Sequence, residues 1–274
     1  MSQSPSPAYL HGFSQVEQAR LIKQARLAEP TVFSRIDYSN ARRLLEVGSG
    51  VGAQTEILLR RFPDLHVTCV DLNASQIAAA RENLARLPWC ADRYEIQQAD
   101  ATQLPFSARQ FDAAFLCWIL EHVPSPERVL GEVRRVLAPG SPVYITEVMN
   151  SSFLLDPYSP NVWRYWMAFN DFQYDNGGDP FIGAKLGNLL LAGGYRDVQT
   201  EVKTFYFDNR EPERRKTMIA FWEELMLSAS DQLLEAGRVS QDVVDGVRRE
   251  MRDVQNNPDA VFFYAFIQAS ATVY

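Results

Sequence analysis

Between residues 43 and 148 the sequence alternates short apolar, β-branched runs with amphipathic helical patterns. Two helices stand out, at residues 77–87 and 126–137, and the second has Ser125 as its N-cap and Pro126 at its first position. Strands that alternate with helices at this spacing form a parallel sheet covered on both faces. Five such strands are predicted, at residues 44–47, 66–71, 94–98, 113–117 and 143–148.

The rest of the chain has a different pattern. Residues 14–29 are a predicted helix, because Ser14 and Glu17 fit a capping box and Pro30 stops the pattern. Residues 151–181 hold nine of the chain's 32 aromatic residues, which indicates a second apolar cluster. Beyond them the sequence predicts a helix ending at Gly193-Gly194, a strand near 198–207, two helices within 210–256 and a final strand at 261–271.

Composition excludes several function classes. The formal net charge is −7, and the arginines occur as scattered pairs. A protein that binds a nucleic-acid phosphate backbone normally has its basic residues clustered on one surface. We therefore expect no nucleic-acid partner. The three cysteines and three histidines show no ligand spacing, so no metal is expected, and no apolar run is long enough for a membrane span. The expected compartment is the reducing cytoplasm.

A glycine-rich turn follows the first predicted strand. Gly48, Ser49, Gly50 and Gly52 lie between that strand and the next helix, where glycine permits positive φ and a close approach of a ligand to the backbone. Asp71 ends the second strand, nineteen residues after Gly52, and its carboxylate can accept hydrogen bonds from both hydroxyls of a ribose. These residues predict an adenosine site. They leave open whether the ligand is a nicotinamide dinucleotide, whose glycine fingerprint also fits.

Further motifs favour one family. Glu46 precedes the glycines by two positions, Asp100-Ala101 follows the third strand, and Phe111-Asp112 opens the fourth. The fourth strand continues into Cys117-Trp118 and then Leu120-Glu121-His122-Val123. From residue 43 to 148 the chain thus resembles the class I, Rossmann-like S-adenosylmethionine-dependent methyltransferases, small-molecule type.

The resemblance implies a fold and a division of the chain. The expected fold is α/β, with a doubly wound, mostly parallel seven-stranded sheet, helices on both faces, an antiparallel last strand, and a helical and aromatic cap. The expected units are an N-terminal helical lid (1–40), the cofactor-binding core (41–150), an aromatic substrate cap (151–180), the end of the core sheet (181–208 and 259–274) and a helical cap insertion (209–258). A homodimer contact is the alternative role of the last insertion.

The resemblance also implies site residues. The glycine turn and the residues after the fourth strand would contact the methionine part of S-adenosylmethionine. Asp71 would bind its ribose, and Leu72 and Asp100 would contact its adenine. Tyr9 and His11 would belong to the lid. The expected cofactor contacts are Tyr9, Glu46, Gly48, Ser49, Gly50, Gly52, Asp71, Leu72, Asp100, Ala101, Cys117, Trp118 and His122.

The expected reaction is in-line transfer of a methyl group to an oxygen, nitrogen or carbon atom of a part-aromatic or apolar metabolite, as in secondary metabolism. The base candidates are His122 and Glu147, the latter expected at the rim of the crevice, although His122 also fits a cofactor-positioning role. Tyr158, Trp166, Phe172 and Tyr174 are the expected acceptor contacts. A nucleic-acid or protein methyltransferase and a non-catalytic binder of S-adenosylmethionine remain alternatives.

Overall fold

The computed structural model describes residues 10–274. Eight strands form one sheet in the order β3-β2-β1-β4-β5-β8-β6, and β7 pairs with the other edge of β8. The strands are β1 Arg43–Val47, β2 His66–Asp71, β3 Tyr94–Gln98, β4 Ala113–Cys117, β5 Pro142–Val148, β6 Leu154–Asp156, β7 Arg196–Phe207 and β8 Val261–Thr272.

Nine α-helices accompany the sheet in this described region. They are α1 Gln15–Val32, α2 Ala53–Arg61, α3 Ala74–Ala85, α4 Pro126–Val136, α5 Pro160–Asp175, α6 Leu186–Ala192, α7 Pro212–Leu227, α8 Ser230–Glu235 and α9 Gln241–Asn256. Short 3₁₀ turns lie between them, and the one that matters for the site is Leu120–His122, after β4.

The strand order reverses at β1. This strand pairs in parallel with β2 on one side and β4 on the other, with Leu44 opposite both Val67 and Ala113. In an open parallel sheet such a reversal leaves a crevice at the carboxyl ends of the strands, where ligands bind. The predicted mostly parallel sheet with an antiparallel last strand is thereby confirmed, because β8 runs antiparallel to β5.

Both faces of the sheet are buried. Leu44 and Leu45, neighbours on β1, point to opposite faces, and neither is exposed to solvent. Leu44 joins a core that extends through α1 and α2 to the cap helices, and Leu45 joins one beneath α4 and α6. Apolar residues at consecutive positions are what a parallel strand covered on both faces requires.

Three details of the sequence prediction are wrong. The sheet has eight strands rather than seven, because β8 is long enough to pair with both β5 and the short β6 along one edge. A strand of three residues is too short to show a period of two.

Pro30 does not stop α1, which continues to Val32 with the proline in its last turn. The segment 210–256 holds three helices rather than two, because the helical backbone is interrupted at Ser228 and Ala229, between α7 and α8.

The cap helices pack around the first half of β8. Phe153 stacks on Trp222 of α7, with ring centroids 5.8 Å apart and planes 3° from parallel. Trp222 also meets Phe262 and Tyr264 of β8 at 5.1 and 4.5 Å. The Tyr165 hydroxyl of α5 donates to the Met226 carbonyl at 2.7 Å. Aromatic packing thus joins α5 and α7 to the end of the sheet.

One carboxylate joins α9 to the start of α5. Glu250 accepts hydrogen bonds from the backbone N–H groups of Asn161 and Val162, at 2.8 and 3.0 Å, and from the Asn161 amide at 2.6 Å. These N–H groups lie in the first turn of α5 and have no partner within the helix. An anionic side chain at a helix N-terminus also interacts favourably with the helix dipole.

We therefore predict that Glu250→Ala lowers the free energy of unfolding by about 2 kcal/mol, the range for hydrogen bonds to a charged group. Urea denaturation followed by tryptophan fluorescence measures this loss. Asp253→Ala is the matched control, because Asp253 is an exposed acid on the same helix. Equal effects of the two substitutions would show that Glu250 does not anchor α5.

Candidate active site

A cavity of about 550 Å³ lies at the carboxyl ends of β1, β2 and β4, within the range of small-molecule sites. On the sheet side its wall is polar and comes from the turns after these strands. On the other side the wall comes from α1, α5 and α7 and is mostly apolar. The polar wall includes Gly48, Ser49, Gly50, Val51, Gln54, Asp71, Leu72, Asn73, Gln76, Cys117, Trp118 and Ile119.

The glycine turn is shaped by two contacts. Gly48 has φ +75°, and a Cβ there would lie 2.7 Å from the Cδ1 atom of Ile119, so no larger residue fits. The Gly48 and Ser49 N–H groups both donate to the Val70 carbonyl. Gly50 has φ +51° with open space beside it, which gives a ligand access to the backbone.

Gly52 has a different role from the one expected. It precedes α2 in a left-handed conformation, and a Cβ there would lie 3.2 Å from Leu84 of α3. It does not belong to the cavity wall. The structure does not bring Gly52 to the cavity wall, because this glycine faces the helix that packs against the turn, and its cofactor contact stays a prediction.

Asp71 lies on the cavity wall with its carboxylate oriented by two backbone groups. Gly50 N donates to Oδ2 at 2.8 Å and Asn73 N donates to Oδ1 at 2.9 Å. Burial raises the pKa of Asp71, and these N–H groups act in the opposite direction. Each carboxylate oxygen retains acceptor capacity, so the group can also receive two ribose hydroxyls.

Unpartnered polar atoms cluster around the cavity. Six buried side-chain atoms on its wall have no hydrogen-bond partner among residues 10–274, although buried polar groups are normally paired. Such a cluster of donors and acceptors is typical of a site for a ligand with many polar groups, such as a molecule that joins an adenosine to an amino acid. The atoms are Ser49 Oγ, Gln54 Oε1, Gln76 Oε1, Trp118 Nε1, Gln173 Oε1 and Trp222 Nε1.

Glu46 lies behind the turn and not in the cavity wall. It is 2% exposed, and its carboxylate accepts a hydrogen bond from the Thr55 hydroxyl at 2.6 Å. Burial raises its pKa to about 7. The expected cofactor contact at Glu46 is corrected accordingly: the side chain links β1 to α2 beneath the glycine turn.

Asp100 and Ala101 also lie outside the cavity wall. The Asp100 carboxylate accepts hydrogen bonds from the backbone N–H and hydroxyl of Thr102, at 2.8 and 2.7 Å. It therefore caps its own turn, as Asp commonly does in loops. Both residues lie in the turn after β3, and their expected adenine contact stays a prediction.

Glu147 is fully buried rather than at the rim, so its expected placement is wrong. Its Oε1 atom accepts hydrogen bonds from the N–H groups of Ile119 and Leu120, at 3.0 and 2.7 Å. Burial, followed by the negative charge of Glu121, raises the pKa of Glu147 to about 8. The residue anchors the turn that carries His122 and does not itself face the cavity.

His122 lies on the cavity wall, as predicted, together with Cys117 and Trp118. Its Nε2 atom is 3.5 Å from a Glu121 carboxylate oxygen, and the Gln173 amide donates to the other oxygen at 2.9 Å. Trp118 has φ +56°, a strained backbone that is typical of functional sites.

The structure brings one of the four expected acceptor residues to the cavity, and the contacts themselves stay predictions. Trp166 lies on the cavity wall, and the other three do not. Tyr158 and Tyr174 are 73% and 59% exposed. Phe172 packs beneath the Arg238 guanidinium, 5.8 Å from its ring centroid. Helix α5 turns Trp166, Phe169 and Gln173 toward the cavity, so its other aromatic residues point elsewhere.

Several wall residues were not predicted from the sequence. They come from the segment before α1, from α1, from the two 3₁₀ turns after β4 and β5, and from α5 and α7, and they share no single sequence signal. Tyr9 lies outside the described residues. The main omissions are Leu10, Arg20, Gln24, Glu121, Asn150, Gln173, Met218, Phe221, Trp222 and Leu225.

Comparisons with known proteins agree with this geometry. A profile of the family described as "Methyltransferase domain" matches residues 45–145. A sterol methyltransferase-like protein of Botryococcus braunii is 32% identical over 58% of this chain and 38% of its own length. The O-methyltransferase cnsE of Penicillium expansum is 30% identical over 60% of this chain and 55% of its own. The solved structure of a cyclase, SpnF, aligns with a TM-score of 0.52 at 22% identity, over 93% of this chain and 81% of SpnF.

Residues 45–145 are therefore similar to the family described as "Methyltransferase domain". The chain spans about half, or less, of the length of these two curated relatives. Within residues 10–274 no group of His, Cys, Asp and Glu side chains is arranged to hold a metal ion. Nor does any helix in this part of the chain combine the length and apolarity needed to cross a bilayer.

The buried acid predicts a pH dependence of stability. Since the folded-state pKa of Glu147 is about 8 and its ordinary value 4.5, the native state holds a proton that the unfolded chain releases. The stability that this proton contributes is complete below about pH 4.5 and is lost as the pH rises through 8. The slope from one such group is at most about 1.4 kcal/mol per pH unit.

We expect Glu147→Gln to reduce the fall in unfolding free energy between pH 5 and pH 8, because glutamine is neutral and can still accept the two N–H bonds. Denaturation at four pH values measures the slope. Glu235→Gln, an exposed acid, is the control. Identical slopes in the wild type and Glu147→Gln would mean that Glu147 is ionised in the folded protein.

Proposed function

We propose that this chain is an S-adenosylmethionine-dependent methyltransferase acting on a small, part-aromatic or apolar metabolite. One observation carries the proposal: a single cavity joins an adenosine-type polar wall around Asp71 to an aromatic wall from the cap. A transferase needs both ligands in one enclosed space, with the acceptor atom beside the methyl group and water kept out.

The polar wall has the groups that S-adenosylmethionine needs. Asp71 would receive the ribose hydroxyls, and the exposed side chain of Leu72 would pack on the adenine. The open backbone at Gly50 is available to the remaining polar groups of the cofactor, and the buried amide oxygens of Gln54 and Gln76 on the same wall have no partner within residues 10–274. When bound, the cofactor supplies a methyl carbon already activated by a sulfonium.

The aromatic wall supports an acceptor with flat or apolar surface. Trp166, Phe169, Phe221 and Trp222 contribute large rings at low conformational cost, as recognition of such ligands usually requires. The relatives named above include a sterol methyltransferase-like protein and an O-methyltransferase, which favours a small molecule over a macromolecule. The net charge of −7 is also unfavourable for a nucleic-acid substrate.

The helices that line the cavity suggest which parts of the chain would form the lid and the substrate cap. Helix α1 contributes Arg20, Leu21 and Gln24 and would act as the lid, within the proposed unit 1–40. Helices α5 and α7 would act as the substrate cap, within the proposed insertions 151–180 and 209–258. We place the enzyme in the cytoplasm and in secondary metabolism, since its three cysteines are unpaired thiols and its acceptor wall suits a bulky metabolite.

We predict that Asp71→Ala weakens binding of S-adenosylhomocysteine by about 1.5–3 kcal/mol, the range for hydrogen bonds to a charged group. Asp71→Asn should lose less, because its one amide oxygen can still accept from one of the two N–H groups of the turn. Isothermal titration calorimetry measures both affinities. Asp92→Ala, an exposed acid outside the cavity, removes the same charge as a control.

Two results would contradict the proposal. An Asp71→Ala protein that binds S-adenosylhomocysteine as tightly as the Asp92→Ala control would remove Asp71 from the site. A wild-type protein that gives no heat with S-adenosylhomocysteine, and gives heat with a nicotinamide dinucleotide, would replace methyl transfer by hydride transfer as the chemistry of this fold.

A further inference from the structure

We propose that the Glu121 carboxylate binds the amino group of an aromatic amine and takes one of its protons during methyl transfer. The proposal deepens the proposed function and rests on it. It names the substrate class, a primary amine carried on an aromatic ring, and it makes Glu121 the catalytic residue on the acceptor side of the cavity.

Glu121 lies where the two walls of the cavity meet. It belongs to the 3₁₀ turn after β4, which also carries His122, and it lines the cavity. The Gln173 amide donates to its Oε2 atom at 2.9 Å. Gln173 follows Trp166 and Phe169 on the face of α5 that lines the same cavity. The methyl group must pass from the cofactor to the acceptor between these walls, so Glu121 lies beside the reacting atoms.

Glu121 carries a negative charge at this point. That charge is one cause of the raised pKa of Glu147, so Glu147 keeps a proton and Glu121 is the ionised member of the pair. No lysine or arginine within residues 10–274 forms a salt bridge with Glu121, and Arg20 of the cavity wall is paired with Glu17 at 2.6 Å. His122 Nε2 lies 3.5 Å from Oε1, and an imidazole compensates a carboxylate only when it is protonated. The carboxylate therefore favours a ligand that donates hydrogen bonds over an anionic one.

A second hydrogen-bond acceptor lies beside this carboxylate. Gln173 directs its Nε2 atom to the Glu121 carboxylate and, at 3.4 Å, to the Glu121 carbonyl. Both groups only accept hydrogen bonds, which fixes the amide orientation. The Gln173 Oε1 atom is buried and has no partner within residues 10–274, although buried acceptors are normally paired. A primary amine has two N–H donors for these two acceptors, whereas a hydroxyl has one hydrogen and leaves one acceptor unpaired.

Aromatic side chains lie around the same space. Trp166 stacks on Phe169, with ring centroids 5.2 Å apart and planes 14° from parallel. Trp222 packs against Trp166 and Tyr264, with centroids 6.0 and 4.5 Å away. All four rings line the cavity. They would pack against the aromatic body of the acceptor while its amino group reaches Glu121.

The bond changes balance without a further reactant. The nitrogen lone pair forms a bond to the methyl carbon as the carbon–sulfur bond breaks, and sulfur keeps that electron pair. The nitrogen becomes positively charged, and a positively charged aromatic amine is acidic enough to give a proton to a carboxylate. One N–H bond then breaks, and its proton bonds to a Glu121 oxygen and passes to water after the product leaves.

Other acceptors are less compatible with this carboxylate. A phenol has an ordinary pKa of about 10 and a carboxyl one of about 4, so the carboxylate is a weak base for a phenol. The phenolate formed would also lie beside a like charge. An alkyl amine enters as a cation, and a carboxylate favours this protonated form, which has no lone pair to attack the methyl group. An aromatic amine is neutral near pH 7 and keeps its lone pair.

The first test compares matched acceptors on the full chain. Methyl transfer from S-adenosylmethionine is measured at pH 7.5 to aniline, 2-naphthylamine and 2-aminoanthracene, and to phenol, 2-naphthol and 2-hydroxyanthracene. Each pair differs only in its amino or hydroxyl group. We expect N-methylated products, with kcat/KM for the best amine about 100-fold or more above that of its hydroxyl counterpart.

The second test changes Glu121. We expect Glu121→Gln, which keeps the size and removes the charge, to lower kcat for the best amine about 100-fold or more. Affinities for S-adenosylmethionine and S-adenosylhomocysteine, measured by calorimetry, should stay unchanged, which also shows that the variant is folded. Glu121→Asp keeps the carboxylate and should recover part of the rate. Glu127→Gln, an exposed acid on α4 outside the cavity wall, is the matched control.

Three results would overturn the proposal. The first is faster methylation of the hydroxyl compounds than of the amines, and the second is an equal kcat in Glu121→Gln and Glu127→Gln. The third is a Glu121→Gln protein that binds S-adenosylmethionine more weakly and S-adenosylhomocysteine normally, because the charge would then serve the sulfonium.

The failure of this proposal is distinguishable from the failure of the proposed function. Methyl transfer to none of the amines, with binding of S-adenosylhomocysteine intact, would overturn the amine assignment and leave the proposed function standing. Loss of that binding in the wild type would instead remove the proposed function itself.

Discussion

The hydrogen bond from the Gly50 amide to the Asp71 carboxylate, at 2.8 Å, is the interaction on which the site depends. It joins the turn after β1 to the end of β2, at the point where the strand order reverses. In the same turn, Gly48 lies directly beside Ile119, whose backbone N–H donates a hydrogen bond to the Glu147 carboxylate. Three strand ends are thereby fixed relative to one another, and the space between them is the cavity.

Helices α1, α5 and α7 form the other wall of this crevice. Helix α1 forms salt bridges with two neighbouring helices. Glu29 pairs with Arg60 and Arg61 of α2, and Lys23 pairs with Glu224 of α7. These pairs are partly exposed, and exposed ion pairs contribute little stability, so α1 is held more by apolar packing than by charge.

Local patterns predicted the core of the fold well. Strands β2, β3 and β4 begin and end at the predicted residues, and the glycines of the turn adopt the positive φ that their sequence indicates. The errors at the site have one cause, which is direction. Nothing local shows that Glu147 points inward to Ile119, or that α5 presents Trp166 rather than Tyr174 to the cavity. Those outcomes depend on partners far away in the sequence.

The central claim is that one cavity receives the cofactor at Asp71 and the acceptor at the aromatic wall. A crystal structure of the protein with S-adenosylhomocysteine tests it most directly. The account predicts the ribose hydroxyls within hydrogen-bond distance of Asp71 and the cofactor sulfur facing an unfilled space lined by Trp166, Phe169 and Trp222. A ligand bound outside this cavity, or a sulfur that faces solvent with no aromatic wall beside it, would contradict the account.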